Sequence, residues 1–586
     1  MVQRLRTIGY LLAASFVGVT PLVARAAEPE LPPPPEGVAP SFESAWDVPG
    51  WVVVDLEDDL SKGDVAELAE ELRADVPGLA FFATDLAEDT QIQLVNVGPR
   101  GAAALLSRVG SDDRVDGVEP LAWVRANHVP DDPLYAQQWH MTRAGAETAW
   151  DWGTGRGVTV AVIDTGVACE TVDGFTKGTD LANTRCVDGW NFIRDDSRAS
   201  DDHGHGTHVA GTVAQSTDNG IGAAGLSFHA RLMPVKVLDK GGWGNTVDIA
   251  NGIRWASDHG AHVINLSLGG PRNSKVLEDA VAHARSQGTI VVAAAGNSGG
   301  SVGFPGGTAG VIGVSASDQD DKLASFSSRG KGVDIAAPGV NVVQQTICEN
   351  GKNACEIFPE WKGTSMASPH VAAAAALLIG AGVSDPDAVE AELTKTARVV
   401  DSSDDGRKLF GAGIVDAGAA VRGATMRAGA VRLAILGVFA LVVAGLVRRV
   451  NKSAATLSAG YVLGGLLAGP GLFALPLVLS RTSFVVDVVS RPLGELDLFV
   501  GASLHRLLPL ANVLVPLALL IATFHVKRAR GFVAGVSVGT AAFLASLPVL
   551  GGFYSPLGQP LFLAYVAGNA ALCLWLARFA MSQRTA

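Results

Sequence analysis

Five apolar runs near the end of the chain, at 428–447, 456–479, 508–525, 531–550 and 558–577, constrain the fold more than any other feature of the sequence. Each approaches the roughly 20 apolar residues that a bilayer crossing requires. In hydrocarbon every backbone group must be satisfied within the protein, so runs of this kind form helices. The expected architecture is therefore a water-soluble head followed by an all-α transmembrane bundle of about five spans. Charge divides the chain at the same place. From Arg427 onward there are 13 Lys or Arg against three acids, a net of +10 that leaves −23 for the rest of a chain whose total is −13. An acidic head offers no basic surface to nucleic acid. None is expected as a partner, whereas the bilayer is.

The amino terminus agrees with export. Arg4 and Arg6 precede a short apolar stretch that closes on Ala24-Arg25-Ala26, the three parts of a secretory signal over residues 1–27. With the head outside, the clusters "RRVNK" at 448–452 and "HVKRAR" at 525–530, with Arg578 and Arg584, fall on the cytoplasmic side, as the positive-inside rule requires. Arg422, Arg427 and Arg432 conflict with that rule, because they flank the first span on the outer side. The expected location is a bacterial inner or cell membrane, with the head extracytoplasmic or periplasmic. In such an oxidising compartment the five cysteines pair most economically as Cys169 with Cys186 and Cys348 with Cys355, leaving Cys573 free in the tail.

Residues 28–50 are a proline-rich linker. Residues 51–128 read as a small α+β unit: "WVVVDL", "TQIQLVNV" and "VDGVEPLAWVRA" are strands, and "SKGDVAELAEELRAD", capped by Ser61, and "RGAAALLSRVGS" are helices. From 129 to 426 short β-branched runs, among them "VTVAVIDTGV", "AHVINLSLGG" and "TIVVAAAGNSGG", alternate with helices such as "TVDIANGIRWASDHG" and "SKVLEDAVAHARSQG". Strands apolar on both faces belong to a parallel sheet covered by helices. The membrane domain takes 427–586.

Four positions in the α/β region carry chemistry. Asp164 ends a strand, where open parallel sheets build their sites. "DDHGHGTHVAG" sets His203, His205 and His208 at the start of a small-residue helix. Asn297 follows a strand, and Ser365 opens an alanine-rich helix with Pro369 in its first turn, in the positive field of a helix N-terminus. Singly each is an ordinary cap or turn residue, and the HxH spacing alone equally suits a metal site.

Taken together, "VIDTGV", "HGTHVAGTVA", "NLSLGG", "AAAGN" and "GTSMASPHVAAAAALL" resemble the successive signatures of the subtilisin-like serine proteases, the subtilases. The resemblance implies a three-layer αβα fold with a mainly parallel sheet, preceded by a ferredoxin-like inhibitory propeptide that is cut off near His128. It makes Ser365 the nucleophile, His205 the base, Asp164 its orienting partner and Asn297 the oxyanion donor, with no cofactor for catalysis. His208 then packs nearby and His203 falls outside the signature. Ser267, Leu268 and Gly269 match the strand that pairs with polypeptide substrates, and Gly303 the floor of a pocket for a large apolar side chain. A structural Ca2+ is implied at Asp180 and Asn219, with Gln138 as a further ligand. The alternative is a transporter, channel or sensor bundle whose subtilase-like domain is accessory or silent.

Overall fold

The computed structural model describes residues 47–582 except 58–59, 76–79, 84–91, 99–100, 111, 123–128, 173, 348–356, 451–457, 497–511, 527–528, 552 and 556–557. The signal sequence, most of the linker, the expected cut near His128, and Cys348 and Cys355 lie outside the described residues. Two compact units are present, divided at Arg125.

In the first unit β1 (Asp47–Leu56), β2 (Ala80–Ala83), β3 (Ile92–Asn96) and β4 (Val115–Ala122) form an antiparallel sheet of order β2-β3-β1-β4. Helices α1 (Lys62–Asp75) and α2 (Ala102–Val109) contribute Leu68, Leu72, Leu105 and Val109 to its core. Ser61 closes the start of α1, where its Oγ accepts from the Asp64 N–H at 3.3 Å while its own N–H donates to the Asp64 carboxylate at 3.0 Å. This is the reciprocal cap that frees neither end of the turn.

The second unit is built on an eight-stranded parallel sheet: β5 (Thr159–Asp164), β6 (Arg185–Cys186), β7 (Trp190–Asn191), β8 (Arg231–Lys236), β9 (Val263–Leu266), β10 (Ile290–Ala294), β11 (Val311–Ser317) and β12 (Ile335–Pro338). The main path runs β12-β11-β10-β9-β5-β8-β6, with β7 beside β8. All its pairings are parallel. The helices are α3 (Ala146–Trp152), α4 (His205–Ala214), α5 (Thr246–Asp258), α6 (Lys275–Ser286), α7 (Thr364–Gly380) and α8 (Pro386–Thr396). Separate apolar cores lie on the two faces of the sheet, one with α3, α4 and α7, the other with α5 and α6. The glycines expected after α5 and α6, Gly260 and Gly288, take φ of 90° and 78°, as a left-handed helix stop requires. Cys169 and Cys186 are disulfide-bonded, with Cα atoms 6.1 Å apart, and Cys573 is free and buried.

The tail departs from expectation in two ways. The boundary placed at 426 falls inside one unbroken helix, α9 (Ala417–Val450), which begins in the head and runs on into the bundle. Among the described residues three helices, not five, are long and apolar enough to cross a membrane: α9, α13 (Ala529–Leu550) and α14 (Gln559–Ser582). The expected second span stops after α10 (Ala459–Ala468), because Gly469-Pro470-Gly471 breaks it. Among its described residues the expected third contains the nine-residue α12 (Leu514–Ala522), and the short α11 (Phe484–Ser490) lies between the two. Glycine governs how α10 meets α13. A Cβ on Gly535 would lie 2.1 Å from the Tyr461 carbonyl oxygen, and one on Gly464 2.4 Å from that of Phe532. Small residues at four-residue spacing are what allow such backbone contact in a bundle.

Candidate active site

Asp164, the last residue of β5, is fully buried, and its Oδ1 lies 2.7 Å from His205 Nδ1. His205 opens α4, and the start of that helix is fixed from below. Thr165 Oγ1 accepts from the Gly206 N–H and donates to Asp201, each at 2.9 Å. The buried Asp201 also accepts from the N–H groups of His203, Gly204 and Thr207, again at 2.9 Å. Gly206 is required because a Cβ there would lie 2.1 Å from the Gly166 carbonyl oxygen. The two glycines of the motif thus serve approach and turning, with Gly204 at φ 102°. Burial opposes charge on the His205 imidazole, but the charge and hydrogen bond of Asp164, with Asp201 beyond, outweigh it and hold its pKa above the ordinary value. His208 stacks on Trp361 with ring centroids 4.6 Å apart, and burial holds its pKa down to about 3. The three histidines are not gathered around one point.

Ser365 is the second residue of α7, and Pro369 does not fall in the first turn, where the sequence pattern places it. Pro369 is the sixth residue, inside the helix, and cannot donate to the carbonyl four positions back. That carbonyl belongs to Ser365, and Ser267 Oγ donates to it at 2.7 Å. Ser365 Oγ donates in turn to the Ser267 carbonyl at 3.1 Å. Ser267 and His205 line the same cleft of about 600 Å³, which the serine therefore adjoins. Asn297 lies just beyond β10, and its Oδ1 accepts from the Thr364 N–H at 2.8 Å and from Thr364 Oγ1 at 3.0 Å. Its amide is thereby turned so that Nδ2 points away. A Cβ on Gly363 would sit 3.4 Å from Asn297 Nδ2 and 3.6 Å from the Ser365 nitrogen, so glycine keeps open the space those two donors share.

A family model described as "Subtilase family" matches residues 155–415. Subtilisin Savinase from Lederbergia lenta is 43% identical over 287 residues, covering 48% of this chain and 98% of its own. The chain belongs to the subtilase family. The alkaline protease of Alkalihalobacillus alcalophilus is 38% identical over 343 residues, 58% of this chain and 84% of that one. Thermitase from Thermoactinomyces vulgaris is 39% identical over 272 residues, 46% and 92%. This subtilase is a serine endopeptidase.

Of the expected specificity residues in this subtilase, Ser267, Leu268 and Gly269 line the cleft, together with Trp243 and Phe304. Gly303 lies behind it, where a Cβ would approach the Gly270 carbonyl oxygen to 3.1 Å. Around the expected cation site Asp180 is fully buried, and burial pushes its pKa up to about 7. Its Oδ1 accepts from Asn219 Nδ2 at 2.8 Å and its Oδ2 from the Ala223 N–H at 2.9 Å. Gln138 is committed elsewhere, exchanging hydrogen bonds with the Ala224 backbone at 2.7 and 3.0 Å. Sequence reasoning missed Asp132, whose buried Oδ1 has no hydrogen-bond partner. Its carboxylate groups with those of Asp131 and Asp218 within 4.8 Å. The "DDP" run was the available signal. Trp361 and Asp201 were also missed, since an isolated aromatic and a loop aspartate carry no pattern.

Beneath α7 the buried His140 and His370 meet at 2.9 Å, Nδ1 to Nε2. His370 Nδ1 donates to the Met366 carbonyl at 2.9 Å, so its Nε2 accepts from His140 and both rings are neutral. Burial depresses both pKa values, that of His370 to about 4. The unfolded state therefore binds more protons below the ordinary histidine value of about 6.5. Stability from this pair is complete above that pH and is lost as pH falls toward about 4. Urea unfolding between those values should show uptake of about two protons from these rings. A pH-independent midpoint in that window would exclude the neutral pair.

Proposed function

We propose that this subtilase cleaves peptide bonds through Ser365, His205 and Asp164, and that it matures by removing its own first unit. The 2.7 Å contact between His205 and the buried Asp164 carries the reading, because it fixes the imidazole with Nε2 free toward the cleft. Rotation about χ1 turns Ser365 Oγ from the Ser267 carbonyl toward that nitrogen. The hydroxyl then attacks the substrate carbonyl as its proton passes to His205, and the oxyanion is met by Asn297 Nδ2 and the Ser365 N–H. A side-chain donor of this kind contributes about 3 to 4 kcal/mol, a figure measured on subtilisin, a relative. His205 next protonates the leaving amine, and water repeats the sequence to release the acyl group. Ser267, Leu268 and Gly269 pair with the substrate backbone. Wild-type protein should react with a fluorophosphonate at Ser365 and release residues preceding the 123–128 junction. An unlabelled, unprocessed wild type would rule the reading out.

The α9, α13 and α14 helices are proposed to hold the head outside the membrane. Segment 480–496 and Tyr554 touch the head, and the opposite helix ends carry Arg448 and Arg449, Arg530 and Arg578, which supports a cytoplasmic side for those ends by the positive-inside rule. Two of the three outer arginines that conflicted with this topology are paired, Arg427 with Glu392 at 2.5 Å and Arg432 with Glu495 at 2.7 Å.

A structural Ca2+ is proposed at Asp180 and Asn219, whose amide would turn its oxygen to the ion, beside the carboxylates of Asp131, Asp132 and Asp218 that lie within 4.8 Å of one another. The ion would supply charge compensation and no chemistry. Chelation by EGTA should lower the unfolding temperature by several degrees and added Ca2+ should restore it, whereas 1,10-phenanthroline should leave turnover intact. An unfolding temperature indifferent to EGTA removes the proposed ion.

A further inference from the structure

The C-terminal segment closes the carboxyl ends of three helices of the protease head. At α3, Arg481 donates from Nη1 to the Trp152 carbonyl at 2.9 Å and from its backbone N–H to Asp151 at 3.1 Å. At α6 the Tyr554 hydroxyl donates to the Ser286 carbonyl. At α7 Arg491 donates from Nη1 to the carbonyl of Gly380, the last residue of the helix. Arg481 and Arg491 are 2% and 1% exposed. A membrane anchor needs none of this, and burying a guanidinium is costly unless its charge is met. For Arg491 it is met by Asp487 Oδ1 at 2.7 Å. The fully buried Asp487 is shared through Oδ2 with Arg156 of the head at 3.3 Å.

The closed end of α7 matters because the other end carries Ser365. Almost every residue of α7 is buried, and Ser365 and Gly380 lie about 22 Å apart along it, so a shift of one end is passed through a tightly packed helix to the other. Its carboxyl end bears the negative pole of the helix dipole and carbonyls with no partner within the helix. A buried arginine held at fixed geometry by a carboxylate sets where that end lies. We propose that Arg491, held by Asp487, whose other oxygen Arg156 of the head grips, is a positioning residue for Ser365. Docking of segment 480–496 thereby sets the activity of the head. This rests on Ser365 being the nucleophile. The tail is accordingly part of the protease as well as its tether.

Full-length protein in lipid nanodiscs, wild type or Arg491→Met, is to be compared for fluorophosphonate acylation rate per folded molecule and for kcat and KM on a peptide substrate. A misplacement of about 1 Å costs on the order of 100-fold. Acylation and kcat in R491M are expected to fall at least tenfold with KM little changed, and R491K, which keeps the charge but not the fork, should recover part of the loss. Tyr554→Phe loosens only α6 and should match wild type. A lower unfolding temperature with unchanged kcat per labelled site would make Arg491 merely structural and overturn the proposal, as would an equal loss in Y554F. If R491M does not fold, R491K decides, and a wild-type rate there overturns it. Failure of the wild type itself to label Ser365 would instead sink the catalytic reading on which the proposal rests.

Discussion

Replacing Ser365 by alanine should reduce peptide hydrolysis by about 10⁶-fold, the loss measured for a triad residue in subtilisin itself. The residual rate, about 10³ to 10⁴ above water, is what binding and the oxyanion donors supply without a nucleophile. The variant should fold, because the Ser365 hydroxyl makes a single contact, to the Ser267 carbonyl. The reciprocal bond from Ser267 Oγ to the Ser365 backbone survives the substitution. It should accumulate as an uncut precursor if the first unit is removed by the enzyme's own serine. The measurement is initial rate on a chromogenic peptide beside the mass of the purified chain. A variant retaining more than about 1% of turnover would move the nucleophile elsewhere.

His205→Ala should cost nearly as much, since members of one catalytic unit fail together. His203→Ala should stay within a few-fold of wild type. The two residues are neighbours in sequence, and only His205 touches Asp164. The pH profile adds a second check. His205 must be neutral to accept the serine proton, and its pKa lies above the ordinary histidine value. The acid limb of kcat/KM should therefore have its midpoint above about 6.5, and activity is lost as pH falls through it. A limb centred well below that value would mean that Asp164 does not stabilise the imidazolium.

Most of the head was legible because its signals are local. Doubly apolar strands announce a parallel sheet, and glycines with positive φ follow α5 and α6 where the chain must turn. The features that escaped are of three physical kinds. Strand β2 has only four residues and no alternation, so nothing separates "AFFA" from a turn of helix. Pro369 was misplaced because its tolerance depends on a hydroxyl, that of Ser267, brought from another strand. Among the described residues three of the five expected spans are continuous long helices, because hydropathy ignores what breaks a helix, here Gly469-Pro470-Gly471. The tail was also misread as separate, since the ion pair of Asp487 with Arg156 of the head joins residues 331 positions apart. At the candidate site the sequence order pointed to Asp164, His205, Asn297 and Ser365, and the fold sets Asp164 against His205 and Asn297 against Thr364, next to Ser365. Asp132, Asp201 and Trp361 became visible only when the chain was folded.

Under the proposed membrane anchoring, the continuity of α9 through position 426 makes the head and its anchor a phased assembly. Each residue of a helix turns the chain by about 100° and lifts it by 1.5 Å. The number of residues between Ala417 and the membrane therefore fixes both the bearing of the cleft and its height above the lipid. Lengthening this shaft by one residue would swing the head slightly past a right angle from its docking partners, whereas seven residues, about two full turns, would nearly restore it. A protease mounted this way has a compass direction as well as a leash. Which proteins it cuts then depends on the side from which they approach as well as on their sequence.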